Sequence, residues 1–215
     1  MIFKSGGNIA GVEADLARSL GEKLGRPVEF VEMDWEKQIP RLLEGRTDII
    51  MSGMAITQAR QVRIAFTDHY MKVAIAAVMR TEDKGTYRSW EDIAWTQGNV
   101  GVIPGTTGDA FVQKNVSHAV RVEIPSPRDG AMQLIRKRID LFVHAGPVGM
   151  WLVSENEADL AGFPSPLDEQ YLAWGVRRDN PELLGAVNQI LARWKVDGTV
   201  DNVVIRWMPW RKSAR

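Results

Sequence analysis

At 215 residues the chain is long enough for one large domain or two small ones, and it can bury a substantial core. Lysine plus arginine and aspartate plus glutamate number 27 each, so there is neither net charge nor a long basic run to attract nucleic acid. Cysteine is absent, which excludes disulfides, thiolate metal sites and cysteine nucleophiles, and no run approaches the ~18 apolar residues of a membrane span.

In chain order, Met1-Ile-Phe-Lys leads directly into Ser-Gly-Gly-Asn without the apolar core of a secretion signal. Gly11 to Gly25 predicts a helix with Val12, Leu16, Leu20 and Leu24 on one face and Gly25 as its stop. Pro27 to Glu32 alternates Val28 and Phe30 with Glu29 and Glu32, the pattern of a strand. Asp34 is placed to cap a helix that turns Ile39, Leu42 and Leu43 inward and ends at Gly45. A buried strand over Asp48 to Met51 follows, and this strand–helix–strand spacing predicts parallel pairing through a right-handed crossover.

After the small-residue turn at Ser52 and Gly53, Thr57 and Arg60 arrive as the chain turns helical. Val73 to Met79 predicts a long apolar strand that leaves into polar Thr81 to Gly85, and a second set of elements then begins. Ser89 opens a short helix, Val100 to Ile103 a strand, Pro104-Gly-Thr-Thr-Gly a tight loop, Asp109 to Asn115 a helix and Val120 to Ile124 a strand. Ala131, Leu134 and Ile135 mark a helical face whose solvated end is Arg136-Lys137-Arg138, and Ile139 to Val143 is another buried strand. The chain returns through Tyr171 to Val176, a helix from Pro181 to Lys195 with proline in its first turn, and a tryptophan-rich tail, Trp207-Met-Pro-Trp-Arg-Lys-Ser-Ala-Arg. Two α/β sets, the end of the chain matching the first, suggest two lobes joined by two extended strands; a single continuous sheet is the alternative.

A buried strand that brings free backbone groups and one guanidinium, Arg60, to a crevice edge suits a carboxylate, because the planar fork matches both oxygens. Taken alone, an arginine after a turn is more often a surface or salt-bridged residue. Gly105-Thr106-Thr107-Gly108 exposes N–H groups at a helix start, which favours an anion, although no Gly-Lys-Ser/Thr follows to make it a phosphate loop. Trp35 reads equally as core or as an aromatic wall. His69, His118 and His144 are dispersed without ligand spacing, and no assembly for covalent catalysis is evident, so no metal, cofactor or catalytic residue is expected.

The order Asp-Ile-Ile-Met-Ser-Gly-Met-Ala-Ile-Thr-Gln-Ala-Arg (residues 48–60), then Phe-Thr-Asp-His-Tyr (66–70), resembles the family 3 extracellular solute-binding proteins, the polar amino-acid receptors of ABC importers. The likeness runs through nearly the whole chain. It implies an α/β, two-lobed periplasmic-binding-protein type II fold, with two mostly parallel sheets joined by hinge strands Val73–Met79 and Tyr171–Val176. Lobe 1 would be 1–77 plus 172–215 and lobe 2 would be 78–171. It further implies capture of a small carboxylate-bearing solute, an amino acid or analogue, by hinge closure. The partner would be an ABC permease and the location periplasmic or extracytoplasmic, a secretion signal having been removed or never included.

Carried over residue by residue, the resemblance assigns Arg60 to the ligand's α-carboxylate and the Gly53 backbone carbonyl to its amino group. The Ser or Thr usual two positions after that glycine is Ala55 here. Thr106 and Thr107 would close on the same carboxylate, with Thr107 in contact, and Trp35 would wall the ligand side chain. Tyr70 also falls among the ligand-facing positions. The aspartate that usually pairs with the ammonium is replaced by Ala145, with His144 beside it. Either another acid takes over, Glu169 being the candidate, or the ligand lacks a standard α-ammonium.

Members of the family open with a strand and a Pro-Pro-aromatic turn before the segment matching Ile2-Phe3-Lys4. The first strand is thus expected to be missing, through truncation, with strand exchange into a dimer as one way to fill the gap. Two alternatives accompany the receptor reading. One is a dehydratase of the cyclohexadienyl or arogenate type, whose loop Val102-Ile-Pro-Gly-Thr-Thr-Gly-Asp-Ala-Phe-Val also resembles, with Glu169 as an acid. The other is a sensor lobe cut from a larger protein.

Overall fold

A computed structural model of the chain describes residues 1–209; residues 210–215 of the expected tryptophan-rich tail lie outside the described part. The chain forms two compact units, Met1–Lys72 with Tyr171–Arg215, and Val73–Gln170. No helix among the described residues is long and apolar enough to cross a membrane.

Unit 1 opens with an antiparallel hairpin of β1 (Phe3–Ser5) and β2 (Asn8–Ala10). Gly11 then has φ 116°, and a Cβ there would lie 2.3 Å from the Met1 carbonyl oxygen, so only glycine fits. Helix α1 (Val12–Leu24) buries Val12, Leu16 and Leu20 and stops at Gly25 in the left-handed conformation.

The strand expected over Pro27 to Glu32 does not form. Residues 26–34 are irregular, with Val28 and Val31 39% and 50% exposed. Alternation alone cannot make a strand, because the ladder bonds that define one need a neighbouring edge in register. What anchors the segment is Val28, packed so closely on Gly21 that a Cβ on the glycine would meet its Cγ2 at 2.3 Å.

Asp34 precedes a single 3-10 turn, Trp35–Lys37, without capping it, its carboxylate paired instead with Lys37. Helix α2 (Gln38–Leu43) follows and buries Leu42, whereas Leu43, expected inward, is 44% exposed. Consecutive residues on a helix point about 100° apart, so these two cannot share one narrow face. Strand β3 (Ile49–Ile50), helix α3 (Gln58–Arg63) and strand β4 (Ala65–Phe66) complete the first pass.

Strand β5 (Met71–Arg80) carries the chain into unit 2. There follow α4 (Trp90–Ala94), started by a Ser89–Asp92 capping box, β6 (Asn99–Val102), α5 (Thr107–Asn115), β7 (Val120–Glu123), α6 (Pro127–Ile135), β8 (Leu141–Ala145), α7 (Gly146–Glu155), β9 (Leu160–Gly162) and β10 (Asp168–Leu172). The sheet order is β10-β5-β8-β6-β7, with β9 also on β5. It is mixed rather than mostly parallel: β6 runs parallel to β7 and β8, while β5 is antiparallel to β8 and β9. Successive side chains leave a strand on opposite faces. Leu141 and Val143 accordingly join one buried cluster with Val100, Val102 and Phe111, and Phe142 joins another with Leu134 and Leu152.

The chain returns to unit 1 within β10, and β11 (Gly175–Val176) then lies between β3 and β4, antiparallel to both. The parallel pairing expected for Asp48–Met51 is therefore replaced by an antiparallel one. Helices α8 (Pro181–Val196) and α9 (Thr199–Trp207) pack with α1 and with each other. A smaller buried cluster joins Leu42, Ile50, Met54 and Ile64, with Trp35, Ile39 and Phe66 packed on it.

Candidate functional site

In unit 1 the site is built around Arg60. Thr57 is extended and caps α3, its hydroxyl accepting the Arg60 N–H at 3.3 Å, which sets the arginine in the helix's first turn. From there the side chain folds back. Nη1 donates to the Ala55 carbonyl at 2.8 Å, and the guanidinium lies over the Trp35 ring, 5.3 Å from its centroid. Burial lowers the Arg60 pKa to about 10, so the group remains a cation at neutral pH but has lost hydration that an anion would replace. Trp35 packs on the Leu42–Ile50 cluster and lies beneath the Arg60 guanidinium.

The turn that carries Gly53 and Ala55 is fixed by backbone bonds. Gly53 is left-handed at φ 76°. Ala55, which is buried, bridges Leu172, flanked by Ile56 N–H to Tyr171 O at 2.9 Å and Ala173 N–H to Met54 O at 3.1 Å. Ser52 Oγ donates to Gln38 Oε1 at 2.6 Å and ties the turn to α2. Although Ala55 has no hydroxyl, its carbonyl orients Arg60.

Tyr70 is buried and stacked on Trp174 at 5.2 Å between centroids, and its hydroxyl donates to Glu13. Sequence reasoning missed Glu13 altogether. An acid in the first turn of a helix is usually accounted for by the macrodipole, and nothing local shows that this one is enclosed. Burial raises its pKa, opposed by the donors that surround it.

In unit 2, Thr106 caps α5. Its hydroxyl accepts the Asp109 N–H at 3.2 Å and donates to the Ile103 carbonyl at 2.8 Å, so both of its capacities are in use. The Gly105 N–H donates to Asp109 Oδ2 at 3.0 Å, which gives the helix start a resident carboxylate. Asp109 in turn accepts from Arg121 Nε at 2.6 Å and Nη2 at 3.1 Å, and from Gln113 at 2.9 Å. Burial alone would raise its pKa; those bonds outweigh it and hold the carboxyl below its usual range. The N–H groups of Thr107 and Gly108, in the first turn, have no acceptor within the helix. Gly108 lets α5 lie against β8: a Cβ there would be 2.6 Å from the Val143 carbonyl oxygen.

His144 and Ala145 end β8, opposite Ala76 and Ile75 of β5. The His144 Nδ1 accepts the Ala145 N–H at 2.7 Å, and burial lowers its pKa to about 4, so the ring is neutral at pH 7. Ala145 is the N-cap of α7, a position where an aspartate would cap the helix; alanine leaves that start without a side-chain cap. Glu169 is exposed on β10, and its N–H donates to Asp168. Among the described residues no group of three His, Asp or Glu side chains could hold a metal ion.

Residues 1–209 match the profile of the bacterial extracellular solute-binding proteins, family 3. The chain is similar to the ABC transporter arginine-binding protein 1 of Escherichia coli (strain K12), 29% identical over 206 residues that cover 94% of this chain and 82% of that protein. Among solved structures it resembles an ancestral amino acid-binding protein, a precursor of cyclohexadienyl dehydratase, with a TM-score of 0.90 at 29% identity over 96% of this chain and 89% of that one. It also resembles an ancestral arginine-binding protein bound to arginine, with a TM-score of 0.89 at 30% identity over 96% and 92%, and an ancestral arginine-binding protein bound to glutamine, with a TM-score of 0.87 at 30% identity over 96% and 91%. With the fold, the strand-to-Arg60 turn and these likenesses in agreement, the chain belongs to the bacterial extracellular solute-binding proteins of family 3.

Proposed function

We propose that this protein is the solute receptor of an ABC importer, working outside the cytoplasm and binding an amino acid or close analogue by its carboxylate. The observation that carries the reading is Arg60, a partly buried cation braced by the Trp35 ring and the Ala55 carbonyl next to the Gly53 turn. Support comes from an arginine-binding relative at 29% identity and from ancestral arginine-binding proteins at 30% identity solved with arginine and with glutamine. In unit 2 the first-turn amides of Thr107 and Gly108 are by themselves suited to an anion. With Ala55 and Ala145 in place of a hydroxyl and an acid, the ligand's amino end is held chiefly by backbone acceptors such as the Gly53 carbonyl.

The partner assigned to the liganded protein is a membrane permease. Strand exchange into a dimer draws no support from the hairpin β1–β2, which pairs within the chain. Glu169, the acid an elimination would call on, is exposed on β10. Release of product from prephenate or arogenate would replace the receptor reading with the dehydratase one.

A thermal-shift screen with L-arginine, L-glutamine, other amino acids, small carboxylates and amines tests the proposal. A true ligand raises the melting temperature by mass action. Arg60→Ala should weaken any carboxylate ligand by about a hundredfold, the loss of roughly 3 kcal/mol expected for charge-assisted bonds. An undiminished shift would refute the assigned role.

A further inference from the structure

Unit 1 contains a cavity of about 780 Å³ that the carboxylate site does not use; neither Arg60 nor Trp35 lines it. Apolar side chains from three elements line it, among them Leu20 and Leu24 of α1, Phe3 and Ile9 of the hairpin, and Leu183 of α8. Two stretches of backbone also line it, and each lacks a partner edge. β3 ends the order β3-β11-β4 and pairs only with β11. Residues 27–33 make no backbone–backbone hydrogen bond among the described residues, although Val28 and Phe30 alternate with Glu29 as in a strand. Thr47, just before β3, also lines the cavity, and its Oγ1 is enclosed without a hydrogen-bond partner among the described residues.

One residue of a strand in a packed sheet takes up about 3.3 Å of length, 4.8 Å of width and 10 Å of thickness, roughly 160 Å³. The cavity therefore matches a strand of about five residues, a common length. An apolar small molecule would fill the same volume but leave both backbone edges unpaired, whereas a strand supplies partners to them. The lining carries four carboxylates, Glu29, Glu32, Asp48 and Glu182, against two cations, Lys4 and Arg26, and Lys4 is already paired with Glu32. That surplus of negative charge favours a segment with basic ends.

We propose that this cavity is a site of β-strand addition, taking an extended peptide of about five residues, β-branched and basic at its ends, between β3 and residues 27–33. The proposal does not depend on the reading of Arg60 as a ligand anchor.

The test uses the full chain and acetyl-Lys-Val-Thr-Val-Thr-Val-Lys-amide. Its control, acetyl-Lys-Val-Pro-Val-Pro-Val-Lys-amide, keeps the charge and the valines but loses ladder donors. Dodecanoate stands for an apolar small molecule. Saturating threonine peptide should slow amide exchange at least tenfold in residues 28–32 and 48–51, and the control and dodecanoate less than twofold. Replacing two exposed rim acids together, Glu29→Gln and Glu182→Gln, should weaken the threonine peptide at least threefold while the melt stays cooperative. Absence of protection with that peptide at about 1 mM would overturn the proposal. So would equal protection by the proline peptide or by dodecanoate, or an affinity unmoved by the two substitutions.

Discussion

Arg60 owes its orientation to a neighbour that contributes no charge. The Trp35 ring under the guanidinium replaces lost water with a π-face, an interaction of about 0.5–2 kcal/mol when partly desolvated. Trp35→Leu keeps apolar contact with the Leu42–Ile50 cluster but loses the platform. Titration calorimetry with L-arginine should then show affinity reduced about three- to thirtyfold while the fold survives. His144 makes a pH prediction. Burial moves its pKa from 6.5 to about 4, so the unfolded chain takes up the proton first as acid is added. Its stabilising contribution is full above about pH 6.5 and is lost as the pH falls toward 4, on the order of 2 kcal/mol in all. The stability difference between wild type and His144→Gln should accordingly shrink between pH 7 and pH 4 in urea titrations; a constant difference would contradict a neutral, half-buried imidazole.

At the scale of elements, the start of α5 separates two adjacent threonines by role. Thr106 spends its hydroxyl on the helix, accepting from Asp109 and donating to Ile103. Thr106→Ala should thus cost about 1–2 kcal/mol of stability. Thr107, one residue on, sits where the backbone N–H points out of the helix. Thr107→Ala should change stability by less than about 0.5 kcal/mol and keeps the backbone N–H, so any loss of ligand affinity reads the hydroxyl's own share of the contact. Urea unfolding beside ligand titration reads both, and a reversed pattern would reassign the loop. Gly108→Ala should destabilise by about 1–3 kcal/mol, because the new methyl group meets the Val143 carbonyl oxygen rather than a side chain that can yield.

For the whole molecule, the two crossings between units fall inside β5 and β10. A ligand that engages both units must leave its mark on both. Hydrogen exchange with saturating L-arginine should slow amides around Gly53–Arg60 in unit 1 and around Gly105–Gly108 in unit 2. At a hundred times the dissociation constant the added stability should be about 2.7 kcal/mol. Protection confined to one unit would restrict the binding role to that unit.

Much of this was legible locally. The apolar face of α1 and its Gly25 stop, the Ser89 start, the long strand around Val73–Met79 and the Thr57-to-Arg60 spacing all depend on residues within a turn or two of one another, so the sequence alone determined them. Pairing was not legible. The alternation in Pro27–Glu32 promised a strand that has no partner edge, and β3 found β11 rather than a parallel neighbour. Nor could the sequence reveal Glu13 as a buried hub. Its donors come from Tyr70, 57 residues away, and Trp174, 161 away. Only the tertiary structure decides such a site, because whether a carboxylate is solvated or enclosed depends on what distant segments bring to it, and no local pattern encodes that.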